Sequence, residues 1–218
     1  TQTFELGLVS SAHLFGIEAM AESQTYDIDE PKLFSLLTRD AMIVFAALTL
    51  WAASDAWFQV TGLWAAELLS AADGIFVGYI VAAIAHEWGH YIGARASGAR
   101  TTRTLPKNLT NLFRFNFDFG SNSSTQFHSM SFGGWIGHWA VLLLACITLP
   151  VDTLGRAALV SSLFGFAIFA TFVETGVLRK TFRGAEPAQA LGELSKKNLL
   201  QAGLVGALSG VLAFTALA

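Results

Sequence analysis

Charge is scarce in this chain. Asp, Glu, Lys and Arg make up 13% of its 218 residues, where a soluble domain carries roughly 25%, so an ordinary water-facing surface is excluded. A basic excess is also lacking. The formal net charge of -3 and pI near 5.9 give no electrostatic footprint for nucleic acid, and no nucleic-acid partner is expected. The single cysteine, Cys146, excludes an internal disulfide and leaves the compartment undefined by redox chemistry. Residues 1–23 have no basic segment and carry Glu5, Glu18 and Glu22, which argues against a cleaved secretory peptide and for a segment on or near the membrane surface. What is abundant is apolar: 53% hydrophobic residues and a mean hydropathy of +0.52, the composition of an integral membrane protein whose first partner is the lipid bilayer.

Crossing a bilayer takes about 20 mostly apolar residues. Five stretches meet or approach that length, at about 41–58, 71–94, 134–151, 157–178 and 199–217. The expected organisation is therefore an interfacial arm over 1–40 and one all-α membrane domain over 41–218. Asp55 and Asp73 fall at the same membrane face, where a carboxylate is inexpensive. Five spans put all but one of the 13 Lys and Arg residues on the side of the N-terminus and the 95–133 and 179–198 loops, leaving Arg156 alone on the other. The positive-inside rule then predicts a cytoplasmic N-terminus and an external C-terminus, in a membrane of the bacterial inner-membrane kind.

The long loop contains "FRFNFDFG", in which Phe113, Phe115, Phe117 and Phe119 alternate with Arg114, Asn116 and Asp118. A period of 2 predicts a strand with one apolar face. "GSNSS" follows as a turn and "TQFHSMSF" is expected to return as a second strand, giving a short cytoplasmic hairpin between the second and third spans. Its phenylalanines either settle on the bundle as surface structure or offer an edge that holds substrate. In the last span, Ala202, Gly206 and Gly210 form a small-residue face for close helix contact.

The most informative stretch is "AHEWGHYIGA", residues 85–94, inside the second span. His86 and His90, at i and i+4, share a helix face and can bind one metal, while Glu87, turned about 100°, can reach a water at that metal. Three ionisable residues within five positions of a span are expensive, and a bound cation would offset the expense; the alternative is a polar knot satisfied by neighbouring helices. A catalytic zinc takes three protein ligands and keeps one position open, so a third ligand should come from another helix at the same depth. In "FVETGVLRK", Glu174 lies five residues before Arg179, as His90 lies five before Arg95. Both sit about 7–8 Å inside the same edge. Otherwise Glu174 is a helix-end carboxylate paired with Arg179 or Lys180. His138, in "SFGGWIGHWA", lies at a similar level. It either donates to substrate or oxyanion or belongs to an aromatic belt with Trp135 and Trp139. Trp88, Gly89 and Gly93 are assigned to helix contact.

These residues resemble the site-2 protease family, the intramembrane zinc metalloproteases. "AHEWGHYIGA" is similar to that family's H-E-x-G-H helix, Gly89 included. "GWIGH" stands where the family has glycine-proline-x-x-asparagine, with Gly134 matching, Trp135 replacing proline and His138 replacing asparagine. "VETG" stands where the family has leucine-aspartate-glycine, with Glu174 in place of the aspartate ligand. The likeness spans about residues 71–180, and the 95–133 loop is too short for the PDZ module many relatives carry. It implies a site-2-protease-like core, Zn2+ held by His86, His90 and Glu174, Glu87 as general base, and hydrolysis of peptide bonds in or near transmembrane segments of a membrane-protein substrate. Two other expectations stand beside it: an inactive homologue serving as a structural or accessory subunit of a larger membrane complex, and a metal-free proton relay or transporter through Glu87, Glu174 and His138.

Overall fold

A computed structural model describes residues 31–104 and 114–218. Five of its helices are long and apolar enough to cross a membrane. They are α1 (Leu33–Thr61), α2 (Trp64–Ala96), α3 (Ser124–Thr148), α4 (Leu154–Thr181) and α6 (Lys196–Leu217); α5 (Pro187–Gly192) is a short helix, and β1 (Thr101–Thr104) pairs with β2 (Arg114–Phe117). Each expected span lies within or largely overlaps one of the long helices, and α1 begins at Leu33 rather than near 41, so the expected arm boundary falls inside a helix. The rest of that arm, residues 1–30, lies outside the described residues. Large apolar side chains such as Phe34, Phe45, Val60 and Ile147 face outward. Such an outer surface belongs in lipid and marks an integral membrane protein.

The bundle is organised on α4, which is flanked by α2, α3 and α6 and carries the main apolar cluster with Leu163, Phe166, Ala167 and Ala170. Close approach depends on small residues. Gly89 and Gly93 of α2 lie against Gly133 and Ser129 of α3, and Gly165 of α4 lies against Gly206 and Gly210 of α6. The backbones touch there, and any Cβ would meet a main-chain atom. This is the contact role assigned to Gly89, Gly93 and the small face of the last span. Gly62, in the left-handed region at φ 64, ends α1 and lets the chain reverse directly into α2.

The two strands are antiparallel, with Thr101 opposite Phe117 and Thr104 opposite Arg114. The alternating phenylalanine stretch is thus a strand, but its partner precedes it in the chain. "TQFHSMSF" is the first part of α3, which corrects the expected return strand. The reason is local: Asp118 closes a turn through the Ser121 hydroxyl and the Gly120 and Ser121 N–H groups, contacts that hold its carboxyl below the usual carboxylate range. A capping box of Ser123 and Gln126 then starts the helix. An S-x-x-Q signature outweighs a weak apolar alternation.

At the end of the bundle away from the hairpin, Asp55 is 3% exposed yet fully bonded. It accepts from Thr153 Oγ1 at 2.7 Å, Ser70 Oγ at 3.3 Å, Gln59 Nε2 at 2.7 Å and Arg156 Nε at 2.9 Å. One carboxylate therefore ties α1 to α2 and α4. The sequence expectation of an inexpensive edge carboxylate missed this burial. Removing one member of a buried pair strands the others, at about 3–5 kcal/mol. Asp55→Leu is expected to lower stability by that order in thermal unfolding in detergent, and an unchanged midpoint would show that water reaches the network.

Candidate metal centre

Among the described residues, His86, His90 and Glu174 form a group whose ligand atoms lie close enough to hold one metal. Two come from α2 and one from α4, so the equal depth expected from sequence is met by contact. His90 Nε2 is 3.1 Å from His86 Nε2 and 3.1 Å from Glu174 Oε1, and His86 Nε2 is 3.9 Å from the same oxygen. Ligands about 2.0–2.2 Å from a tetrahedral zinc are separated by roughly 3.3–3.6 Å. The observed spread brackets that range.

The far side of each imidazole decides what the near side offers. His90 Nδ1 lies 2.9 Å from the Met130 carbonyl, and His86 Nδ1 lies 3.3 Å from the Gly134 carbonyl, both on α3. A carbonyl only accepts, so each bond calls for Nδ1–H. The two Nε2 atoms of the neutral rings then present lone pairs to each other beside a carboxylate oxygen. A proton on His90 Nε2, 3.1 Å from the Glu174 carboxylate, or a metal cation would relieve three acceptors that face one point, and outer bonds from Nδ1 to carbonyls are the usual support of histidine ligands. The residues fit a zinc ion on this ground, and equally another divalent metal of similar preference.

Glu87 is half-buried and lines, with His86, a cavity of about 990 Å3 between α2, α4 and α6. The remaining walls are mainly apolar, among them Phe76, Phe166 and Phe169. Glu174 does not pair with Lys180, whose ammonium meets Glu193 at 2.8 Å. His138 is wholly buried, so it is no belt residue at the membrane surface; its Nδ1 is 3.1 Å from His86 Nδ1, and its Nε2 has no partner among the described residues. In β2, Phe115 packs edge-on to Tyr91 at 5.5 Å, and Phe117 is buried against Phe127 and Phe119. Phe113 lies outside the described residues.

Sequence reasoning missed three contributors. The Met130 and Gly134 carbonyls carry no side-chain signal. Asp40, 1% exposed, accepts from Trp88 Nε1 at 2.9 Å and pairs with Arg39, fixing α1 against α2 two residues from His86; an acidic residue at a span edge beside an arginine was the available sign. Compared with family models, curated proteins and solved structures, the chain matches none.

Proposed function

We propose that the protein is an intramembrane zinc metalloprotease of the site-2 type, cutting membrane-protein substrates in or near their transmembrane segments. The observation that supports this reading most is the convergence of two Nε2 atoms and one carboxylate within a membrane bundle, with Glu87 next to one of them and lining the same cavity. A zinc ion held by His86, His90 and Glu174 would supply a Lewis acid for the scissile carbonyl and bring a water toward a pKa of about 7. Glu87 takes a proton from the attacking water at its carboxylate; the water oxygen joins the carbonyl carbon, the C–N bond breaks, and Glu87 returns the proton to the leaving nitrogen. The cavity, at about 990 Å3, has room for about two turns of a helix roughly 10 Å across. A segment lying there has to unwind at the end near Glu87, because helical amides are already bonded. The Lys and Arg distribution favours placing the hairpin end in the cytoplasm.

Zinc content tests the foundation. About one zinc per chain is expected in protein purified in detergent without chelator, and none in His86→Ala. A folded wild-type chain without zinc would remove the protease reading. Zinc without cleavage of any transmembrane reporter would leave the accessory-subunit reading in its place.

A further inference from the structure

We propose that His138 is a positioning residue for the metal centre, accepting a hydrogen bond from His86 Nδ1–H and so holding the His86 Nε2 lone pair toward His90 and Glu174. The inference rests on the metal-centre reading above. Its geometry is specific. The Nδ1 atoms of His86 and His138 are 3.1 Å apart, a distance at which two N–H groups, or two lone pairs, would repel. One proton belongs between them. If it sits on His138, neutral His86 carries its own proton at Nε2, aimed at His90, and cannot bind a cation. If it sits on His86, the Nε2 lone pair is free for metal and His138 presents an acceptor at Nδ1 with its own proton at Nε2. No described group bonds His138 Nε2, and the Gly134 carbonyl lies beside both rings, so it is the cation at His86 Nε2 that selects the second arrangement.

The Gly134 carbonyl alone is a weaker substitute, because it lies at 3.3 Å from His86 Nδ1, beyond the usual 2.7–3.2 Å range for such bonds. The ring of His138 also has a fixed place. It is wholly buried, and Phe166 of α4 stands edge-on to it at 6.1 Å and to His86 at 5.8 Å. His138 therefore acts behind the ligand, on the side away from the cavity that Glu87 lines, rather than on substrate. Outer partners of this kind change metal affinity by about 10–100-fold.

The test separates acceptor from ring. Asn places its Oδ1 two bonds from Cβ, as His places Nδ1, and retains the acceptor; Phe retains the ring and loses it. Zinc dissociation constants are measured on the full detergent-solubilised chain by competition with a chromophoric chelator, and cobalt(II) spectra report ligand geometry. His138→Phe is expected to weaken zinc about 10–100-fold and to alter the cobalt bands, while His138→Asn restores most of the affinity and the wild-type bands. His138→Leu replaces the Phe variant if that one fails to fold. Wild-type affinity in the acceptor-free variant overturns the inference, as does Asn binding no better than Phe, which would mean that only ring packing matters. A wild-type chain that takes up no zinc shows itself before any variant is made and overturns the metal centre, and the inference with it.

Discussion

Glu87→Gln is expected to leave zinc bound and to reduce cleavage by about 10²–10⁴-fold, the usual contribution of a general base. The two halves of that result have separate physical grounds. The ligand atoms that converge are His86 Nε2, His90 Nε2 and Glu174 Oε1, and Glu87 is turned from them by one helical step, so the exchange does not touch the coordinating set. Glutamine keeps the size and hydrogen-bonding capacity of the side chain but cannot take a proton from water. Zinc is counted by elemental analysis, and cleavage is followed on a transmembrane reporter reconstituted in vesicles. Cleavage that survives would take the base role away from Glu87, and lost zinc would move it into the ligand set.

The membrane architecture was legible because apolar length is a crude and strong signal: all five expected spans correspond to long helices, although α1, α2 and α3 start earlier than hydropathy placed them. α3 shows why. Its first turns contain Ser124, Gln126, His128 and Ser129, polar residues that lower hydropathy but do not oppose a helix once Ser123 and Gln126 cap it. The meeting of His86, His90 and Glu174 was legible from two facts, the i, i+4 spacing on α2 and the equal depth of Glu174 on α4. The surroundings were not. Backbone carbonyls at Met130 and Gly134 have no residue type to betray them, and the burial of Asp40 and Asp55 depends on which helices meet, a tertiary outcome that a single span does not encode. The phenylalanine stretch was read correctly as strand, but sequence alone left open whether its side chains served packing or substrate; Tyr91 and Phe127 take them up.

Gly134→Ala is expected to give a folded protein that has lost zinc affinity by more than about 100-fold, since outer-sphere changes alone reach 10–100-fold and this one displaces a ligand. A Cβ on Gly134 would lie 2.6 Å from both Nδ1 and Nε2 of His90, inside the space the imidazole occupies. A backbone obstacle would force helices apart, but here the obstacle is a side chain, held by its Nδ1 bond to the Met130 carbonyl and its contacts with His86 and Glu174. The ring swings out, its Nδ1 bond to the Met130 carbonyl breaks, and Nε2 leaves the centre. Gly133→Ala makes the opposite contrast, because its Cβ would meet the Gly89 carbonyl and Gly93 main chain; that change should destabilise the α2–α3 contact and the whole bundle. Gly176→Ala, two residues from Glu174 with nothing within 4 Å, should leave zinc unchanged and keep or raise stability, by up to about 1 kcal/mol. Zinc affinity and thermal unfolding on the three proteins separate these cases. A folded Gly134→Ala chain that binds zinc as tightly as the wild type would show that His90 reaches the metal from some other direction, and the glycine would then serve helix contact alone.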